Sequence, residues 1–284
     1  MTEQSKQAQV EDSLLGKQTE YVDQYDPSLL FPIPRQPKRD DIQLSAISQS
    51  EKLPFFGQDI WNAFELSWLN PKGKPEVAVA TFRVPASSPN IIESKSFKLY
   101  LNSFNQTRLT STSELQTRLE QDLSAAAGDA VLVELYSMKE AKYLQVAPAS
   151  GRCIDDLDIE VQHYHPEPKL LKTQSDLIVE EQLHSHLLRS NCPVTGQPDW
   201  ATVLVRYKGK KIDKAGLLAY IISFRLHNDF HEQCVERMYV DIMQHCEPEE
   251  LTVEARYTRR GGLDINPWRS SNLPDLANNR LLRQ

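Results

Sequence analysis

Two stretches decide the fold class: Val77 to Val84, reading VAVATFRV, and Trp200 to Tyr207, reading WATVLVRY. The first is β-branched and alternating, the pattern of a strand, and Pro85 closes it. Ser88-Pro89 then has the form of a helix cap followed by proline in the first turn, which predicts a helix from Ile91 to about Phe104. Ser111 and Glu114 have capping-box spacing, Leu115, Leu119 and Leu123 follow at intervals of four, and Gly128 stops this second helix. Val131 to Tyr136 and Tyr143 to Val146 read as the two arms of a hairpin.

From Trp200 the order recurs: a strand to Tyr207, a helical region from Leu217 to about Cys246, and a strand from Leu251 to Tyr257. Ser96-Phe97-Lys98-Leu99 aligns with Ser223-Phe224-Arg225-Leu226, so the chain reads as a duplicated ββααββ unit. Two strands, two helices and two strands, written twice, predict an α+β protein with helices on one face of a mainly antiparallel sheet. The expected divisions are an extended arm over 1–50, a first half over 51–165 and a second over 166–284. The arm is punctuated by Pro27, Pro32, Pro34 and Pro37 around the apolar Leu29, Leu30, Phe31 and Ile33, so it is expected to pack on a core. Open sheets leave edges that need partners, and closing several units into a barrel across subunits removes them, which predicts an oligomer.

At 284 residues, 40% hydrophobic and 25% charged, the composition is that of an ordinary globular protein. A net charge of -7, from 32 basic and 39 acidic side chains, argues against a polynucleotide as direct ligand. The opening MTEQSKQAQVEDSLLGK lacks the basic and then apolar run of a secretory signal, and no apolar run approaches the ~18 residues of a membrane span, so a cytoplasmic protein is expected. Cys153, Cys192, Cys234 and Cys246 are too few and scattered for a disulfide framework and are expected to be free thiols.

Asn191 to Trp200, NCPVTGQPDW, puts a thiol, then turn formers, then a carboxylate just before a strand. Two prolines and a glycine stiffen that loop and allow Cys192 and Asp199 to be held facing one another, although a loop cysteine is more often inert than catalytic. Phe230-His231-Glu232 sets an imidazole beside a carboxylate able to accept two N–H bonds from a guanine-like edge; composition alone favours a solvated helix face. Ile92-Glu93-Ser94-Lys95-Ser96, with Lys98 and Arg108 nearby, and Arg259-Arg260-Gly261-Gly262 are candidate phosphate holders. A GxGxxG fingerprint is absent, which does not exclude a dinucleotide. His163 with His165, His184 with His186, and His245 with Cys246 are the candidate metal pairs, but none has a firm ligand spacing and no metal site is expected.

Together these stretches resemble the 7-cyano-7-deazaguanine reductase family, NADPH-dependent enzymes that make the queuosine precursor 7-aminomethyl-7-deazaguanine. ESKSFKLYLNSFNQT at Glu93 to Thr107 is similar to the family's nitrile-reductase motif and CPVTGQPDW at Cys192 to Trp200 to its catalytic loop; FHE at Phe230 to Glu232 and RRGGLDINP at Arg259 to Pro267 complete it. The loop follows the ESKS segment here, as in the long, duplicated subgroup. That implies a tandem tunnelling fold of two ββααββ units, with a barrel completed by oligomerisation, and a homodimer.

The resemblance implies that Cys192 adds to the nitrile carbon and Asp199 supplies a proton to the nitrogen; spacing alone suggests that Asp199 first takes the thiol proton, with Pro198 and Trp200 as apolar walls that raise its pKa. Covalent addition divides a hard reduction: one hydride gives a thiohemiaminal, loss of thiolate an imine, and a second hydride the amine. It further assigns Ile92, Glu93, Ser94, His231 and Glu232 to the deazapurine base, and Ser94, Lys95, Arg260 and Gly261 to NADPH. Two other readings are weighed against this one. A zinc-dependent GTP cyclohydrolase needs a Cys and His metal triad for which no convincing His-rich motif stands, and a purine-binding module has no need of a nucleophile and carboxylate on one rigid loop. Cys153, Cys234 and Cys246 are left with packing alone.

Overall fold

The computed structural model describes residues 21–44, 53–140 and 145–284. Parts of the expected arm, at 1–20 and 45–50, and the start of the strand expected at Tyr143 lie outside the described residues. The protein is mixed α+β and divides into two compact units. One takes in the described residues of Met1–Pro37, Asp59–Gln145 and Arg259–Asp264; the other takes in those of Lys38–Gln58, Val146–Thr258 and Ile265–Gln284. No helix among the described residues is long and apolar enough to cross a membrane.

The first unit is built from β1 (Pro32–Pro34), most of β2 (Phe56–Leu69), β3 (Pro75–Pro85), β4 (Asn90–Ile92) and β5 (Leu132–Tyr136), with α2 (Ser94–Asn102) and α3 (Thr112–Ala127); α1 (Gln36–Asp41) belongs to the second unit from Lys38 onward. Its main strands lie in the order β5-β3-β2, and β3 pairs antiparallel with β5 from Val79↔Tyr136 to Arg83↔Leu132. The proline-rich arm does pack inward. Its β1 pairs antiparallel with β4, Ile33 opposite Ile91, and the backbone N–H of Glu93 donates to Phe31 O at 2.9 Å.

That pairing moves the start of the helix expected at Ser88-Pro89. Residues 90–92 are extended against β1, so α2 opens only where the pairing ends, with Glu93 as its N-cap. Ser88 is instead buried under Arg35, whose Nη2 donates to its Oγ at 3.2 Å. Phe97 on α2 then packs on Trp61 and Phe82, with ring centres 5.1 and 5.0 Å away. In α3 the expected spacing holds: Leu115, Leu119, Leu123 and Ala127 are all buried. Ser111 Oγ accepts from Glu114 N at 3.1 Å, but the Glu114 carboxylate takes the backbone N–H of Thr110, one residue earlier than a regular capping box. Gly128 ends the helix at φ +77, where an added Cβ would meet the Pro89 ring.

The second unit contains β6 (Arg152–Cys153), β7 (Thr173–Asn191), β8 (Pro198–Ile212), β9 (Glu250–Tyr257), β10 (Leu263–Ser270), α4 (Lys214–Ser223) and α5 (His231–Cys246). The strand order is β10-β9-β8-β7-β6, antiparallel except for the short parallel pairing of β6 with β7. The helical region expected from Leu217 to Cys246 is interrupted, because Asn191 N donates to His227 O at 2.8 Å and Asp229 N to Asn191 O at 3.1 Å. The chain there runs alongside the end of β7 and cannot stay helical. Val146, expected in a hairpin with the strand ending at Tyr136, instead bridges Arg280.

On α5, Cys234, Val235, Met238, Tyr239 and Ile242 are buried, and the helix packs on β9. Glu236, 2% exposed, accepts from Arg39 Nη2 at 2.7 Å and Arg269 Nη2 at 3.0 Å. Two guanidiniums on one buried carboxylate make that residue costly to lose, since both would forfeit a shared countercharge.

The structure also corrects the register of the internal repeat. Ser96-Phe97-Lys98-Leu99 lies in the first turns of α2, whereas Ser223-Phe224-Arg225-Leu226 begins at the last residue of α4, so the two are not equivalent. The matching positions are Tyr100, Ser103 and Phe104 against Tyr220, Ser223 and Phe224. In each unit the serine Oγ donates to the tyrosine carbonyl at 2.6 Å, and the tyrosine hydroxyl donates to an aspartate on the next helix, Asp122 or Asp241, also at 2.6 Å. Each serine further accepts a backbone N–H, from Asp26 or Glu167, at the head of a 3-10 turn reading DPSLL at 26–30 or EPKLL at 167–171.

Replacing either tyrosine by phenylalanine removes a hydrogen bond to a carboxylate, worth about 1.5–3 kcal/mol. Tyr220 and Asp241 are both buried, whereas Asp122 keeps a second donor in Tyr25 at 2.8 Å. We expect urea unfolding to show Tyr220→Phe near the top of that range and Tyr100→Phe near the bottom. Equal costs would contradict this account of the two locks.

Candidate active site

The NCPVTGQPDW stretch is the turn between β7 and β8. Cys192 N donates to Gln197 O at 2.9 Å and Gly196 N to Cys192 O at 3.0 Å, while Gly196 adopts φ +67, a conformation natural to glycine. Strand pairing then continues with Asn191 opposite Pro198 and Ser190 opposite Asp199. Directly opposed residues share a face and side chains alternate along each strand, so Ser190, Cys192 and Asp199 belong to one face of the hairpin. Cys192 and Asp199 are diagonal neighbours, a relation of about 7–8 Å at the backbone. Both are buried, at 6% and 3% exposure.

The same alternation removes Pro198 and Trp200 from the role of apolar walls. Both belong to the opposite face from Asp199, and the guanidiniums of Arg189, Arg225 and Arg283 lie 5.5, 5.7 and 5.6 Å from the Trp200 ring centre. The walls around Asp199 come from elsewhere. His231 opens α5, and its Nε2 lies 3.3 Å from Asp199 Oδ2. Its ring stacks on Tyr257 at 3.8 Å and 6°. The bonds from Asn191 to residues 227 and 229 hold the start of α5 in that position. His231 Nδ1 is buried and has no hydrogen-bond partner among the described residues. Glu232, the next residue on the helix, is buried at 2% exposure.

Tyr257 is a part of this site that the sequence does not flag: as the last residue of an alternating strand it reads as core. Cys234, one turn beyond His231, also lies in this setting, beside Ser190 and Tyr257, and burial pushes its thiol up, away from thiolate chemistry.

The first unit gathers the other candidates. Ile92 and Glu93 are buried, and Glu93 works as a helix cap: Oε1 accepts from Lys95 N and Oε2 from Ser96 N, both at 2.7 Å. Burial raises its pKa, against the lowering effect of those bonds. Lys95 Nζ lies 3.3 Å from the Tyr21 hydroxyl, which the hydrogen bond to Lys95 and then the charges of Lys95 and Lys98 hold below the usual phenol range. Arg260 and Gly261 enter the turn before β10, where Gly261 and Gly262 take φ +58 and +78. A Cβ on Gly261 would run into the Lys98 ammonium. Lys95 and Gly261 are thus joined by Lys98, a helix turn after Lys95, while Arg259 turns its guanidinium 4.3 Å over the Phe64 ring.

Comparison with known proteins agrees with these motifs. The family described as "Nitrile reductase, 7-cyano-7-deazaguanine-reductase N-term" matches residues 21–135, and that described as "QueF-like protein" matches residues 198–275. A protein of Dechloromonas aromatica named NADPH-dependent 7-cyano-7-deazaguanine reductase is 57% identical over 275 residues, covering 96% of this chain and 95% of its own. Proteins of the same name from Chromobacterium violaceum and Bordetella pertussis are 58% and 59% identical, covering 92% and 90% of this chain and 92% of each relative. With identity of that level along nearly the whole length, the chain belongs to the family of the NADPH-dependent 7-cyano-7-deazaguanine reductases.

Proposed function

We propose that this protein reduces the nitrile of 7-cyano-7-deazaguanine to 7-aminomethyl-7-deazaguanine with NADPH, in queuosine biosynthesis, through a covalent thioimide on Cys192. The observation that carries the reading is the hairpin end, where a buried thiol and a buried carboxylate share a face and His231 meets the carboxylate at 3.3 Å. In this reading the Cys192 sulfur adds to the nitrile carbon. Asp199 takes the thiol proton and delivers it to the nitrogen, so a neutral thioimide forms with no net gain or loss of protons.

His231 orients the Asp199 carboxylate through Nε2, and its unpartnered Nδ1 is free to face the base. Glu232 is assigned to the amino-pyrimidinone edge, because a buried carboxylate can accept two parallel N–H bonds. In the first unit Ile92, Glu93 and Ser94 are assigned to the base, Glu93 chiefly by capping the helix that carries its neighbours. Ser94, Lys95, Arg260 and Gly261 are assigned to NADPH, and Lys98 joins them. The residues present suit such a ligand: mobile ammonium groups and an arginine fork for phosphate charge, beside a glycine turn without side chains. When bound, NADPH would supply the reducing equivalents, two hydrides per base, each matched by one proton from solvent, so that the nitrile becomes the amine and two NADP+ are released.

The same reading makes the chain a tandem tunnelling fold, supported by the repeated Tyr–Asp and Ser locks. It also makes it a cytoplasmic homodimer that completes a barrel by oligomerisation. The position of β5 at the end of its strand order, with Leu132 58% exposed, supports an edge that takes a partner. The excess of acidic side chains supports a free base rather than a polynucleotide as direct ligand.

Absorbance at the reduced-cofactor band tests the activity: two NADPH should disappear per 7-cyano-7-deazaguanine, and any other stoichiometry contradicts the reading. Intact-protein mass spectrometry without NADPH should show a gain equal to the base in the parent protein and none in Cys192→Ala. Asp199→Asn should keep the fold and lose about 10²–10⁴ in turnover; full turnover would remove Asp199 from the proton path. Lys95→Ala and Lys98→Ala should raise the KM for NADPH, by a factor that is largest at low salt and shrinks as salt is added, while the adduct still forms; loss of adduct with unchanged cofactor affinity would reverse the assignment.

A further inference from the structure

Away from Cys192, the parallel pairing of β6 with β7 sets Cys153 beside His184. Gly151, at φ +81, presses this segment onto β7 so closely that a Cβ would strike the Gln182 carbonyl, and Ile154 N donates to His184 O at 3.0 Å. His184 and His186 are two residues apart on one strand, with ring centres 5.1 Å apart. The donor atoms of Cys153, His184 and His186 all lie within 4.8 Å of one another. Four-coordinate zinc, with ligand bonds of about 2.0–2.3 Å, brings its ligands to about 3.4–3.8 Å from each other. Rotation of the exposed Cys153 side chain can supply most of that closure.

Each imidazole is held by its inner nitrogen, leaving the outer one for a ligand. His184 Nδ1 donates to Ser150 O at 3.0 Å, and His186 Nδ1 bonds Thr202 Oγ1 at 2.9 Å. Support of this kind behind a histidine is what metal-binding imidazoles carry. A further polar group lies against the same segment. Asp155 Oδ2 accepts from His186 N at 3.0 Å, while Asp155 Oδ1 is buried and has no hydrogen-bond partner among the described residues. A cation nearby would offset the cost of that buried charge. His184 and His186 lack a third ligand in the local sequence; Cys153, thirty-one residues upstream of His184, supplies it through the fold.

We propose that Cys153, His184 and His186 form a binding site for a borderline-soft divalent transition metal of the zinc class, separate from the nitrile chemistry. The ligand set of one thiolate and two imidazoles selects against magnesium and calcium, which take oxygen. Binding releases the thiol proton to solvent and forms one sulfur–metal and two nitrogen–metal bonds, with no change of oxidation state. The metal ties the short edge strand β6 to β7.

The test is titration of the full chain, with its thiols reduced and air excluded, with cobalt(II) alone. We expect one equivalent to bind, with a near-ultraviolet thiolate-to-cobalt band and the strong visible bands of four-coordinate cobalt, both bleached by added zinc. Cys153→Ser, at an exposed position, should abolish the thiolate band, and His186→Ala should weaken binding by at least about tenfold. Cys192→Ala should leave both sets of bands intact, which separates this site from the proposed nucleophile. The proposal is overturned if the parent protein shows no thiolate band, if the band survives Cys153→Ser, or if it depends on Cys192.

Discussion

The antiparallel register of β7 with β8 is the constraint on which the second unit's site depends. Because Asn191 faces Pro198 and Ser190 faces Asp199, the pleat alone decides that Cys192 and Asp199 share a face and that Trp200 is turned away from it. A slip of one residue would exchange those faces. The turn hydrogen bonds of Cys192 fix one end of that register, and the bonds from Asn191 to the loop before α5 carry it onward to His231. A single strand pairing thus places thiol and carboxylate from one hairpin and, through the loop before α5, an imidazole from a second part of the chain.

Much of this was legible in the sequence where periodicity was strong. The leucines of α3, the strands at 77–84 and 200–207, and the terminating role of Gly128 follow from local spacing and reappear in the structure. What failed did so where tertiary pairing overrides local preference. Ser88-Pro89 has the chemistry of a helix start, yet β1 claims residues 90–92 as a strand partner, and the cap passes to Glu93. The helix expected across 217–246 breaks because β7 takes the backbone of residues 227–229. β2 and β10 carry polar residues at buried positions, such as Asn62 bonded to Asp264, so the period-2 pattern that reveals a strand is blurred.

The candidate site was legible to a similar degree and for a similar reason. Cys192, Asp199, His231 and Glu232 stand in compact motifs that resemblance can match. Tyr257 under His231 and Lys98 over Gly261 contribute by packing, and no local pattern distinguishes either from an ordinary core or surface residue. Trp200 adjoins Asp199 in sequence but not in space, because successive side chains of a strand point to opposite faces.

The two Tyr–Asp and Ser locks have a consequence for how such a chain can change. They recur with the same donors and acceptors, yet none of their residues is among those assigned to thiol, hydride or base chemistry. These two locks and the reactive groups therefore rest on separate positions. Exchanging a thiol or an imidazole leaves the seam between each pair of helices intact, so the scaffold can tolerate changes of chemistry that its tyrosines and aspartates cannot.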